Sequence, residues 1–234
     1  TNTFSQNFPK LGQGYQAPQR GGLEAIVASL SPDASELLWT AQLGGSGADA
    51  AYSLRILPNG NIVACGGTAS NNFPTTSGVI VPQYQGSTDG WIATLSANGQ
   101  DLVAASYLGT TNYDQAYLLD LDTEGNPTVF GQTLGNYPIT NGTFRNAGGK
   151  QFIHQLNANL TATQFSTVFG SGGLQVNIVP TAFLVNDCNN IYLSGWGGDV
   201  NQASGSYLGG NTLNMPITSD AFQSATDGSD FYLM

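Results

Sequence analysis

The sequence predicts an all-β fold assembled from repeated four-stranded antiparallel sheets, and three observations predict it. Landmarks recur at a spacing of about 65 residues. Within one period, short alternating runs are separated by two-residue hairpin signals, with no stretch of three helical turns. Only 5 basic and 15 acidic residues occur among 234, a charged fraction of 9%, against about 25% in ordinary domains. Polarity therefore comes from Asn, Gln, Ser, Thr and backbone, and the 31 glycines follow no fixed three-residue period.

The period is carried by four kinds of landmark. Asn7-Phe8-Pro9, Asn72-Phe73-Pro74, Asn136-Tyr137-Pro138 and Asn214-Met215-Pro216 place their prolines 65, 64 and 78 residues apart. A bulky strand residue follows each, at Ile26, Trp91, Phe152 and Tyr232. The pairs Leu43-Gly44, Leu108-Gly109 and Phe169-Gly170 keep the same beat, at 65 and 61 residues. So do turns in which Gly60, Gly125 and Asn190 are 65 apart.

Taken in order, the clearest unit reads as a first strand over 51–57, an Asn59-Gly60 hairpin turn and a second strand over 61–68. A loop then carries Asn72-Phe73-Pro74 and Gly86-Ser87-Thr88-Asp89, followed by a third strand over 90–95. A turn at Asn98-Gly99 leads to a fourth strand over 102–108. One unit is thus one antiparallel meander. Sheets with few charges on either face need cover on both, and radial stacking of four-stranded blades, a β-propeller, supplies it.

On this reading residues 1–45 form a half blade, 46–110 and 111–171 two full blades, and 172–234 an incomplete blade with an inserted loop at 199–210. The count is thirteen strands, fewer than the roughly sixteen of the smallest propellers. The chain therefore reads as part of a larger propeller. The alternative is a small ring closed by a blade shared between the two ends.

Composition excludes several classes of function. A net charge of −10, with Lys10, Arg20, Arg55, Arg145 and Lys150 scattered, opposes binding to a phosphate backbone. No apolar run approaches the roughly 20 residues of a membrane-spanning helix, so membrane insertion is not expected. Cys65 and Cys188 are too few for a disulfide framework, and Cys65 reads as a small buried apolar residue.

No catalytic set emerges. His154 alternates with Phe152 and Leu156 and reads as structural. Asp120 with Asp122 and Asp227 with Asp230 are the carboxylate pairs a glycosidase would need, but turn chemistry and solvation explain them. Asp49 and Asp114, and likewise Asp89 and Asp230, recur at equivalent places and read as turn caps. Calcium remains the alternative, weakened by the lack of a clustered acidic loop. No metal site and no cofactor are expected. The inserted loop is the candidate binding feature: Trp196 and Tyr207 offer aromatic faces, and Asp199, Asn201 and Gln202 offer hydrogen bonds suited to a sugar.

The stretch Leu43-Gly44-Gly45-Ser46-Gly47-Ala48-Asp49, the turn Asn59-Gly60-Asn61, Asn72-Phe73-Pro74-Thr75-Thr76 and Asp89-Gly90-Trp91-Ile92-Ala93-Thr94-Leu95 together resemble the SBBP-type bacterial β-propeller repeat. The last unit, with Ser194-Gly195-Trp196-Gly197-Gly198 and Ser219-Asp220-Ala221-Phe222-Gln223, is similar to gliding-motility-associated surface proteins of the Bacteroidota exported by the type IX secretion system. The second full unit departs from the pattern at Thr110-Thr111-Asn112-Tyr113-Asp114. The resemblance implies a non-enzymatic cell-surface or extracellular segment, a scaffold or adhesion module. Its implied partners are other domains of a large chain or cell-envelope proteins. A carbohydrate-binding, lectin-like propeller is the alternative, and a glycoside hydrolase or lyase the third reading.

Overall fold

The computed structural model describes residues 2–3, 14–18, 21–197 and 210–234. These residues are all-β, with fourteen strands in four antiparallel sheets and no helix among them. The first sheet holds β1 (Asn2–Thr3), β2 (Glu24–Leu30) and β3 (Leu37–Leu43). The second is β4 (Asp49–Ile56), β5 (Ile62–Thr68), β6 (Asp89–Leu95) and β7 (Leu102–Leu108). The third is β8 (Asp114–Leu121), β9 (Pro127–Thr133), β10 (Gln151–Leu156) and β11 (Thr163–Phe169). The fourth is β12 (Val179–Val185), β13 (Ile191–Trp196) and β14 (Phe231–Leu233).

Each sheet is a meander in chain order, because each connection between neighbouring strands runs antiparallel. The register aligns the units residue by residue. Gly66 faces Trp91, Gly131 faces Phe152, and Gly195 faces Tyr232. The first strands also share an irregularity: the register slips at Ala51/Ser53, Ala116/Leu118 and Pro180/Ala182, leaving Tyr52, Tyr117 and Thr181 as the extra residues of three equivalent bulges.

The sheets stack through three apolar layers. Val27, Leu43, Ala64 and Trp91 fill the first, between sheets one and two. Val63, Ile92, Leu119 and Phe152 fill the second. Phe130, Ile153, Phe169 and Phe183 fill the third, against the fourth sheet. Burying each Val, Leu, Ile or Phe side chain among them contributes about 1.5 to 3 kcal/mol. β4 packs against β8, and β8 against β12, so the first strands run side by side.

Two sequence expectations are corrected. Residues 1–45 contain three strands, not two; Asn2–Thr3 pairs with Glu24 and Ala25 and is too short for any periodicity to announce it. The turn residue equivalent to Gly60 (φ 86°) and Gly125 (φ 82°) is Asn189 (φ 61°), not Asn190. In all three turns this residue's N–H returns to the carbonyl three positions back, at Leu57, Asp122 and Asn186. Asn tolerates the left-handed region better than most residues, so the turn survives without glycine.

Candidate functional site

The loop-borne sugar site expected from the sequence is only partly within the described residues. Asp199, Asn201, Gln202 and Tyr207 lie outside them. Trp196 closes β13, and its indole N–H donates to the Ser229 carbonyl at 2.9 Å. Its ring tilts over Phe231 with centroids 5.5 Å apart, so the indole is already engaged on one side.

What the fold does bring together is acidic and amide side chains at the seams between sheets. Each seam centres on the glycine that follows a fourth strand. A side chain at Gly44 would strike both the Glu24 and Asp49 carboxylates. At Gly109 it would meet Asp89 Oδ1 at 2.5 Å, and at Gly170 it would meet Asn177 Oδ1 at 2.7 Å and Gln151 Oε1 at 3.2 Å. Glu24, Asp89 and Gln151 stand at or beside the start of the third strands, and Asp49, Asp114 and Asn177 at or just before the first strands. The glycines are there because the carboxyl and amide groups occupy the space of a Cβ.

Asp49 is fully used. Its Oδ2 accepts from the Gly45 N–H at 2.9 Å and the Ser70 hydroxyl at 2.8 Å, while Oδ1 accepts from the Thr68 hydroxyl. Burial pushes its pKa up against these bonds. Asp114 Oδ2 accepts from the Thr110 N–H at 2.6 Å and hydroxyl at 2.7 Å, and burial again raises it. Asp89 is held by the same backbone contact. Oδ2 accepts from the Gln85 N–H at 2.6 Å, and Oδ1 has no hydrogen-bond partner although the residue is fully buried. Burial, with the Asp114 charge adding to it, raises Asp89 to about 6. A carboxyl group in that setting holds its proton until near neutrality. The turn-cap expectation thus describes all three, each accepting on Oδ2 from the N–H four residues earlier, and Asp114 Oδ1, like Asp89 Oδ1, has no hydrogen-bond partner.

Around the same seam, the Tyr107 hydroxyl donates to the Ser70 carbonyl at 2.9 Å and accepts from the Phe73 N–H at 2.9 Å. Burial first, then the nearby Asp89 and Asp49 charges, pushes it up to about 12. It therefore works as a neutral clasp on the Asn72-Phe73-Pro74 loop.

The other sequence candidates have separate tasks. His154 sits between the Tyr137 hydroxyl at 3.0 Å and the Thr163 hydroxyl at 2.9 Å, and burial lowers it to about 4, so the ring is neutral. Asp120 receives Arg55 Nε at 2.8 Å on one oxygen and the Val185 N–H at 2.9 Å on the other, tying β4, β8 and β12. Asp122 lies beyond the end of β8 and caps the turn by accepting from the Glu124 and Asn126 N–H groups. It does not pair with Asp120. Asp227 accepts from the Ser229 N–H and Asp230 from the Gln223 amide. Both cysteines are free, Cys65 buried and Cys188 exposed.

Sequence reasoning missed Glu24, Gln151 and Asn177 as seam residues, along with the Tyr52–Tyr117 ring stack at 5.1 Å between neighbouring first strands. The signal was present: Tyr52 and Tyr117, and Arg55 and Asp120, are each 65 residues apart.

No protein-family model matches the chain, and no curated protein matches it.

Proposed function

We propose that the chain is a stretch of β-propeller that serves as a non-enzymatic interaction scaffold in a large bacterial surface protein. The observation that carries this reading is the succession of like sheets whose first strands run side by side. Such an array places loops at fixed intervals along one rim, which suits docking rather than turnover. The dispersal of the ionisable groups supports it. His154 is held between two hydroxyls, Asp120 binds a cation and a backbone N–H, and Asp49 caps a turn. The surface location, the link to type IX secretion or gliding motility, and envelope proteins as partners rest on the motif resemblance alone.

The carbohydrate-binding alternative rests on Trp196. That indole already donates to Ser229 and has one ring face against Phe231. Electron microscopy of the native surface polypeptide that carries this chain, together with a glycan array, tests both readings. A closed ring of four-stranded blades with a silent array is expected. A glycan signal lost in Trp196→Ala would replace the scaffold reading with the lectin.

A further inference from the structure

Three Asn-Gly steps occur in this chain, at Asn59-Gly60, Asn98-Gly99 and Asn141-Gly142. In each the asparagine is exposed and the glycine takes a positive φ, of 86°, 71° and 86°. Asn-Gly is the step at which an asparagine most readily loses its amide, because glycine has no side chain to keep its own backbone nitrogen from the asparagine Cγ. By sequence the three are equivalent. At Asn59 both reacting groups are held: Oδ1 accepts from the Asn61 N–H at 3.0 Å, and the Gly60 N–H donates to the Leu57 carbonyl at 2.8 Å. At Asn98, Oδ1 accepts from the Ser96 hydroxyl at 2.7 Å and the Gln100 N–H at 3.1 Å, and the Gly99 N–H donates to the Ser96 carbonyl at 2.8 Å. Gly99 is also buried under Trp39, where a Cβ would lie 2.5 Å from the ring.

Asn141 has none of these restraints. Among the described residues, neither its side chain nor the Gly142 N–H forms a hydrogen bond, and a Cβ at Gly142 would meet nothing within 4 Å. The loop on either side is anchored over β11. The Thr140 N–H donates to the Ser166 carbonyl at 2.8 Å, and the Ser166 N–H donates back to the Thr140 hydroxyl at 3.0 Å. The Ser166 hydroxyl donates to the Pro138 carbonyl at 2.7 Å, and the Thr143 hydroxyl to the Thr140 carbonyl at 2.8 Å. Asn141 thus lies inside the short span that the last bond closes, in a strap across the fourth strand. The second sheet has the same strap, with the Thr76 N–H on the Ala105 carbonyl at 3.1 Å, but there the step is Ser77-Gly78 (φ 82°), which has no amide to lose.

We propose that Asn141 is a site of spontaneous covalent modification, converting through a succinimide to aspartate and isoaspartate, and that the isoaspartyl product loosens the strap. Hydroxide removes the Gly142 amide proton, and the nitrogen attacks Asn141 Cγ. The new N–Cγ bond forms, the Cγ–Nδ2 bond breaks, and ammonia leaves with a proton returned by water. Water then adds to either ring carbonyl. Breaking the new N–Cγ bond gives aspartate; breaking the original backbone C–N bond gives isoaspartate. Nothing is oxidised or reduced. Isoaspartate routes the main chain through Cβ and so inserts a methylene between Thr140 and Gly142, inside the span that the Thr143 hydroxyl closes. The hydrogen bonds at Asn59 and Asn98 must open before the same reaction can start there. The inference stands on local geometry and not on the scaffold reading, so either can fail alone.

The test incubates the native polypeptide that carries this chain in mildly alkaline buffer and follows each asparagine by peptide mapping and mass spectrometry, with isoaspartyl methyltransferase labelling the isoaspartyl product. Conversion at Asn141 is expected to be at least about tenfold faster than at Asn59 or Asn98. In concentrated urea the three rates are expected to converge, since the fold alone separates them. Asn141→Gln is expected to abolish the fast phase. Equal rates in the folded protein, a faster rate at Asn59 or Asn98, a difference that persists in urea, or a fast phase that survives Asn141→Gln overturns the site. The strap is read by amide hydrogen exchange. Thr140 and Ser166 are expected to exchange severalfold faster in the isoaspartyl form than in the Asn141→Asp variant, which carries the charge without the extra methylene. Equal exchange in the two forms overturns the loosening of the strap.

Discussion

The second and fourth sheets carry the same landmarks in different surroundings. In the second, Trp91 is fully buried, stacks on Phe73 with centroids 5.1 Å apart, and donates its indole N–H to the Ala50 and Gly67 carbonyls, both at 3.2 Å. In the fourth, Tyr232 occupies the same register position, is half-buried, and reaches only the Pro216 carbonyl, at 2.5 Å. Asp89 at the head of β6 is sealed in, whereas Asp230 at the head of β14 meets Gln223 on a half-exposed loop. The landmarks place a residue in the strand; its cover by a fourth strand and by the next sheet decides what that residue contributes.

Truncating the two matched aromatics gives the sharpest break of this comparison. Trp91→Ala is expected to cost about 3 to 5 kcal/mol by urea denaturation, and Tyr232→Ala about 1 kcal/mol. Equal costs would mean that the fourth sheet is as closed as the second.

The sealed carboxyl group adds a pH dependence. Asp89 titrates at about 6 in the fold, above its ordinary value of 3.8. The folded state therefore binds the proton more tightly, and its stability is fullest below pH 4 and declines as pH rises toward 6. Burial of Asp49 and Asp114 acts in the same direction. Asp89→Asn is expected to flatten about 2 kcal/mol of that decline in denaturation midpoints followed across pH 4 to 7. A curve that keeps its slope in the variant would place the proton elsewhere.

At the joint between sheets, Asp120→Ala leaves the Val185 N–H without its acceptor and is expected to cost about 1 to 3 kcal/mol. Arg55→Ala, at a side chain 43% exposed, is expected to cost under about 1 kcal/mol. Thermal melts of the two variants check the ordering. The smallest effect is expected from Cys188→Ser in an exposed turn, within about 0.5 kcal/mol, whereas Cys65→Ser puts a hydroxyl into the second apolar layer and costs more.

Much of the fold was legible because turn chemistry and alternation are local signals. The strands expected at 61–68, 90–95 and 102–108 are seen as β5, β6 and β7 to within a residue at each end, since Gly60 and Gly99 demand positive φ between alternating runs. β1 was not legible, because a two-residue strand exists only through its pairing with Glu24 and Ala25. The seam acids were half legible. Asp49, Asp89 and Asp114 announce themselves by recurrence, but Glu24, Gln151 and Asn177 share their positions without sharing their residue type. Burial of Asp89 depends on a neighbouring sheet, which no local pattern records. Trp196 reads as a free aromatic face in sequence, and its contact with Phe231 comes from a residue 35 positions away.

Arg55, Asp120 and Leu184 occupy one and the same position on three successive first strands, facing Val63, Thr128 and Tyr192. The first two attract each other, and the third is apolar. These units are therefore not interchangeable cars in a train. Transposing the second and third would leave the arginine beside Leu184 and turn the aspartate toward the first sheet, so the order of the modules is written into their couplings. A tandem array that diverges in this way can no longer be freely shuffled, lengthened or shortened by recombination between its copies, and each junction becomes a commitment to one particular neighbour.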